Sequence, residues 1–144
     1  MVAYGDTSFL FSLYAQDANT PHAARIAGDL HSSLMLTPLQ RYELRNALRL
    51  ATFRGDITAK VCQSLLETVE ADIKAGALVE TPVAWAEVFA EAEALSAAHT
   101  ETLGTRGFDV LHVAAAAALG AKNFYTFDAR QKALATKAGM KVRP

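Results

Sequence analysis

Cysteine, net charge and long apolar runs are all scarce in this sequence, and each scarcity closes off a class of explanation. The single cysteine, Cys62, rules out an internal disulfide, and no CxxC pair is present to knuckle a metal. Cys62 lies between Val61 and Leu65 in a helical pattern and reads as a small hydrophobe. No stretch approaches the ~18 apolar residues of a membrane span. The N-terminal MVAYGDTS lacks the basic region and long apolar core of a signal peptide. The expectation is a cytoplasmic protein without membrane contact. Formal net charge is −1 and the isoelectric point about 6.4, whereas proteins that coat nucleic acid by counterion release are strongly basic. Any contact with nucleic acid is therefore short, or metal ions supply its positive charge. Repeats, low-complexity tracts and linkers are absent. The 144 residues, 51% hydrophobic, suffice for one domain spanning 1–144 with its own core.

What is present is regular punctuation. Thr20-Pro21, Thr37-Pro38 and Thr81-Pro82 each place a capping hydroxyl before a proline suited to a first helical turn. Thr37 and Gln40 also fit a capping box. Gly55, Gly76, Gly120 and Gly139 follow helical patterns, where a left-handed residue ends a helix. Helices are expected over Ser8–Gln16, Pro21–Ser32, Pro38–Arg54, Thr58–Ala75, Ala84–Thr100, Phe108–Leu119 and Ala129–Ala138. Between them lie short apolar runs without polar alternation: Val2-Ala3-Tyr4, Leu34-Met35-Leu36, Leu78-Val79, Asn123-Phe124-Tyr125-Thr126 and Lys141-Val142. Such runs suit strands buried on both faces. Strands alternating with helices imply an α/β fold: a parallel sheet with helices on both sides and all strand C-termini along one edge, where ligands bind.

Of the fifteen acidic residues, most lie on polar helical faces, but four do not. Asp6 follows the first strand and precedes Phe9 and Leu10. Glu43 shares a helical face with Leu39, Ala47 and Leu50. Asp109 opens an apolar helix between Phe108 and Val110. Asp128 follows the strand ending in Tyr125-Thr126. A carboxylate among apolar groups is costly unless compensated. Asp6 and Asp128 fall just past strands, Glu43 lies in the first turns of the helix after one, and Asp109 lies at a helix N-terminus, where negative charge is favoured, so all four can converge at the ligand edge. Four converging carboxylates repel. A divalent cation relieves that repulsion, and all-oxygen ligation suits Mg²⁺ or Mn²⁺ rather than Zn²⁺. Against this stands a plainer reading: an Asp after a strand is often a helix N-cap, and Asp6 could pair with Arg106 or Arg130.

These residues resemble the PIN-domain ribonucleases, and within them the VapC-type toxins of bacterial toxin–antitoxin pairs. The resemblance is carried by Tyr4-Gly5-Asp6-Thr7-Ser8-Phe9-Leu10, by Tyr42-Glu43-Leu44-Arg45-Asn46-Ala47, by Arg106-Gly107-Phe108-Asp109-Val110-Leu111-His112-Val113-Ala114-Ala115-Ala116 and by Tyr125-Thr126-Phe127-Asp128-Ala129-Arg130-Gln131. It implies a PIN-like three-layer α/β/α fold around a central parallel sheet of about five strands. It also implies a metal site on Asp6, Glu43, Asp109 and Asp128, with the hydroxyls of Ser8 and Thr126 supporting the first and last acids. Mg²⁺- or Mn²⁺-dependent cleavage of RNA, a homodimer and a cognate antitoxin are further implications. Gly5 departs from the family pattern, where a larger residue is common before the first Asp.

Arg106 and Arg130 flank predicted ligands and are candidates for RNA phosphate contact, with pairing to the acids as the alternative. Arg41, Arg45 and Arg49 form a stripe opposite Glu43 that reads as a solvated face. His112, one turn beyond Asp109, reads as a packed helix histidine or as a group behind the site. His22, His31 and His99 show no metal spacing. Trp85, Phe89 and Leu95 read as the core face of one helix. Three other functions stay open. One is a phospho-acceptor signalling domain, which needs paired acids after its first strand, where this chain has Asp6-Thr7-Ser8. Another is a housekeeping PIN nuclease without an antitoxin. The third is a non-catalytic binding module that kept the fold, against which the four intact carboxylates argue.

Overall fold

In the computed structural model, which describes residues 3–30 and 32–144, every short apolar run forms a strand. The strands β1 (Ala3–Gly5), β2 (Leu34–Leu36), β3 (Leu78–Glu80), β4 (Asn123–Tyr125) and β5 (Lys141–Arg143) each span 3 residues. Two parallel ladders result, one ordered β1-β4-β5 and one pairing β2 with β3. β2 lies alongside β1, which sets the ladders edge to edge in the order β3-β2-β1-β4-β5. The seam is tied by a side chain: the Gln40 amide donates to the Gly5 carbonyl at 2.6 Å, and its Oε1 accepts from the Thr37 N–H at 2.7 Å. Val2 and His31, which the sequence places in a strand and a helix, lie outside the described residues.

Side-chain alternation divides the interior in two. Ala3, Leu34, Leu36 and Tyr125 face one core, covered by α1 (Thr7–Ala15), α2 (Thr20–Asp29), α3 (Pro38–Phe53) and α4 (Ala59–Ala75). Tyr4, Met35 and Phe124 face the other, covered by α5 (Trp85–Leu95), α7 (Gly107–Ala118) and α8 (Ala129–Lys137). This period-2 alternation into two apolar layers makes the α/β/α sandwich. The small residues Ala114, Ala115 and Ala116 let α7 lie close in the second layer.

Helix boundaries follow the punctuation in part. Thr37 and Gln40 form the expected capping box on α3, and Gly76 ends α4 in the left-handed region at φ 79°. The other two Thr-Pro pairs act differently. Asn19, not Thr20, precedes α2, and the Thr20 hydroxyl turns back to the Ser12 carbonyl. Thr81 bonds the Val79 carbonyl, so α5 starts later, after Ala84. The helix expected over Ala84–Thr100 widens after Leu95 into a π-helical turn, Ser96–Thr100, followed by α6 (Glu101–Leu103).

Two expected faces are corrected. Val88 and Leu95, with Ala92 between them, turn α5 onto the core, while Phe89, one residue past Val88, is rotated out and exposed beside Trp85. The arginine stripe is not simply solvated: Arg41 and Arg45 pair with Glu70 of α4, and Arg41 also with Glu80. Among the described residues no helix is long and apolar enough to cross a membrane.

Candidate active site

Asp6 leaves β1 and caps α1. Its Oδ1 accepts from the Ser8 hydroxyl at 2.7 Å and the Phe9 N–H at 2.9 Å, and its Oδ2 from the Thr126 hydroxyl at 2.7 Å. The residue is fully buried. Burial pushes its carboxyl above the usual range, and the donors Thr126, Phe9 and Ser8, with His112 nearby, offset this only in part. The two hydroxyls do double duty. Thr126 Oγ1 accepts from the Asp128 N–H at 2.9 Å and Ser8 Oγ from the Phe127 N–H at 3.0 Å, joining the exits of β1 and β4.

Glu43 projects from α3. Its Oε2 accepts from the Thr7 hydroxyl at 2.6 Å and from His112 Nε2. His112, buried on α7, places Nδ1 2.8 Å from the Tyr4 hydroxyl. Partial burial would raise the Glu43 carboxyl, but the bond and charge of His112 and the Thr7 hydroxyl outweigh it, and the group lies below the usual carboxylate range.

Asp109 occupies the first turn of α7. Its Oδ2 accepts from the Arg106 N–H at 3.3 Å and Nε at 3.1 Å, and its Oδ1 from the Gln131 amide at 3.2 Å. Asp128 caps α8, its Oδ1 accepting from the N–H groups of Arg130 at 2.9 Å and Gln131 at 3.0 Å. Its Oδ2 lies 3.8 Å from Arg106 Nη2. Arg106 and Gln131 thus each touch both acids. Gln131 is buried, and its Oε1 has no hydrogen-bond partner.

Glu43, Asp109 and Asp128 line one cleft of about 650 Å³ at the C-terminal edge of the sheet, together with Thr7, Ser8, Arg54, Arg106, His112 and Gln131. Asp6 lies behind it, bonded to Ser8 of the wall. A larger cavity, about 810 Å³, opens at the other end of the sheet beside Leu34 and Leu78 and holds none of the four acids.

The PIN domain family model matches residues 3–137. This chain belongs to the PIN domain family. Among solved structures, Mycobacterium tuberculosis VapC20, described as a sarcin-ricin loop cleaving toxin, is similar over 99% of both chains at 23% identity, with a TM-score of 0.68. That likeness speaks for the fold. No curated protein matches the chain.

In this PIN domain the four predicted acids therefore reach one neighbourhood from β1, α3, α7 and β4. They do not form a bare cluster: among the described residues no three acidic, histidine or cysteine side chains stand ready to hold one ion. Each acid is answered by the protein instead, Asp6 by hydroxyls, Glu43 by His112, and Asp109 and Asp128 by Arg106. The capping roles are also real, since Asp6 and Asp128 are N-caps. The alternative, a pair between Asp6 and an arginine, does not occur: Arg106 pairs with Asp109 and Asp128, and Arg130 gives Asp128 its main-chain N–H. The donor chemistry fits a hard divalent cation, with carboxylate oxygens in one cleft and, at Gln131, a buried amide oxygen lacking a donor.

Sequence reasoning passed over Tyr4, Thr7, Arg54 and Gln131. Gln131 sits where a side chain could turn back to the α8 cap, but only its main-chain N–H does so; its amide reaches Asp109, 22 positions away, which no local pattern announces. Tyr4 and Thr7 carry no local signal; their roles arise where β1 meets α7 and where α1 meets α3.

Proposed function

We propose that this PIN domain is a divalent-metal-dependent endoribonuclease and the toxin of a toxin–antitoxin pair. The observation that carries the reading is the cleft: Glu43, Asp109 and Asp128 share its wall, and Asp6 lies directly behind it. On this reading Asp6, Glu43, Asp109 and Asp128 hold Mg²⁺ or Mn²⁺. When bound, such an ion supplies positive charge that acidifies water and stabilises charge developing on a phosphodiester. The chain's own groups orient the acids. Ser8 and Thr126 fix both Asp6 oxygens, Thr7 and His112 fix Glu43, and Gln131 spans Asp109 and Asp128. Arg54 and Arg106 give the cleft two cationic side chains for RNA phosphates, in keeping with a chain of net charge −1 that grips only a short stretch of RNA.

The toxin assignment rests on the family and on the fold shared with VapC20, which cleaves the sarcin-ricin loop. It brings with it an antitoxin partner, a homodimer, action in the cytoplasm and a nuclease domain occupying the whole chain. A phospho-acceptor role fits less well, because Asp6 is buried with both oxygens hydrogen-bonded.

The test is cleavage of RNA by the purified chain in Mn²⁺. EDTA is expected to abolish cleavage, and Asp109→Asn to slow it by about 10²–10³-fold, the usual cost of removing one electrostatic stabiliser, with circular dichroism unchanged. Full activity in EDTA refutes the metal mechanism. A short neighbouring gene for a DNA-binding protein that suppresses toxicity on co-expression supports the toxin reading, and its absence favours a housekeeping nuclease.

A further inference from the structure

We propose that Arg106 is a built-in counter-ion for the Asp109–Asp128 pair, holding the place of the divalent cation and competing with it. The inference rests on the metal-site reading above and adds a residue that opposes metal binding rather than assisting it.

Two carboxylates drawn to one cleft wall repel unless positive charge lies between them. In this structure that charge comes from one side chain. Arg106 Nε is 3.1 Å from Asp109 Oδ2, and Nη2 of the same guanidinium is 3.8 Å from Asp128 Oδ2. The planar fork suits a bridge between two acids in a way a lysine's point charge does not. Backbone N–H groups take Asp128 Oδ1 and the Gln131 amide takes Asp109 Oδ1, so Asp128 Oδ2 faces only the Arg106 guanidinium and Asp109 Oδ2 accepts only from Arg106, through its main-chain N–H and its Nε. Arg106 therefore covers the oxygens an incoming cation would use.

The bridge is built to open. The Arg106 side chain is 67% exposed while its partners are 8% and 29% exposed, so the guanidinium can leave for water and the acids cannot. It follows Gly104, which is in the left-handed region at φ 67° and ends the preceding helix, and it precedes Gly107, whose Cα has open space beside it. No side chain at either glycine pins the arginine in place. With a cation held by these acids, the exposed Arg106 guanidinium would be repelled and would turn to the mouth of the cleft.

Calorimetric titration of MnCl₂ into wild type, Arg106→Ala and Arg106→Lys tests this without any activity measurement. Exposed ion pairs are weak, so removing the competitor should tighten Mn²⁺ binding by about three- to tenfold in Arg106→Ala. Arg106→Lys, which keeps the charge but not the fork, should fall between the two. Raising NaCl from 50 to 500 mM should narrow the gap between wild type and Arg106→Ala. Circular dichroism establishes that the variants fold. If wild type binds Mn²⁺ and Arg106→Ala binds equally or more weakly, Arg106 is no competitor and this inference falls while the metal-site reading stands. If no protein binds Mn²⁺ at millimolar concentrations, both fall.

Discussion

Thr126→Val removes one hydroxyl and almost nothing else, and its consequence can be worked out from two bonds. Thr126 is fully buried. Its hydroxyl donates to Asp6 Oδ2 at 2.7 Å and accepts from the Asp128 N–H at 2.9 Å. Valine fills the same space, so no cavity opens. The lost donation to a buried carboxylate is worth about 1.5–3 kcal/mol, and a stranded N–H about 1 kcal/mol more. The net loss should be about 2–4 kcal/mol, or roughly 6–12 °C in Tm for a chain of this size. Urea unfolding followed by circular dichroism measures it. The loss should also depend on pH. Burial raises the Asp6 carboxyl in the folded state, so this group favours the folded chain at low pH and costs stability as pH rises through its folded value. Removing a donor that offsets the rise enlarges that cost. The gap between wild type and Thr126→Val should therefore be widest near neutrality and shrink on acidification, as Asp6 takes up a proton. In a double-mutant cycle with Asp6→Asn, the two losses should fall short of additivity by at least 1 kcal/mol. A Thr126→Val cost below about 0.5 kcal/mol, or a gap that grows as pH falls, would refute the account of how Asp6 is held.

The other predictions concern separate parts of the structure. Gly5→Ala sets a Cβ 2.7 Å from the buried Phe9 ring; overpacking of this kind should cost about 1–3 kcal/mol by thermal melt, and Phe9→Leu in the same chain should recover part of it. Leu134→Ala, at a fully buried position of the second core, should lower stability by about 2–5 kcal/mol in urea without changing the m-value. Thr7→Val removes a donor at 2.6 Å from Glu43; it should weaken Mn²⁺ binding measured by calorimetry while leaving Tm within about 3 °C. With two arginines in the cleft, binding of a non-cleavable single-stranded oligonucleotide should show a log–log salt slope of about −1.4. A slope steeper than −4 would indicate a basic track elsewhere on the surface.

How much of this was legible in the sequence varies with how local each feature is. The five strands were readable because short apolar runs between helices suit strands; burial on both faces holds for the inner strands β1, β2 and β4, where Ala3 and Tyr4 enter opposite cores, while the outer strands expose Val79, Glu80, Lys141 and Arg143. Thr37 and Gln40 announced their cap because the whole motif lies within four positions. Thr20 and Thr81 misled for the same reason inverted: their hydroxyls found carbonyls at Ser12 and Val79, which the dipeptide does not reveal. The four acids stood out because apolar neighbours made each one costly. What answers them was hidden, since the bonds between Tyr4 and His112, Glu43 and His112, and Gln131 and Asp109 join residues 108, 69 and 22 positions apart. The arginine stripe failed as a solvated face because α4 supplies Glu70 against it, a matter of helix packing that periodicity on α3 alone does not contain.

The seam between β1 and β2 carries a consequence for inhibition. Asp6 stands at the exit of β1 and Glu43 on α3, the helix that follows β2, so the spacing of these two acids is a readout of how the two ladders meet. Gln40 is a rivet at that joint, its one amide gripping both Gly5 and Thr37. A compound that works loose this rivet would widen the gap between the acids and silence the chemistry from beneath, never competing with nucleic acid or chelating an ion.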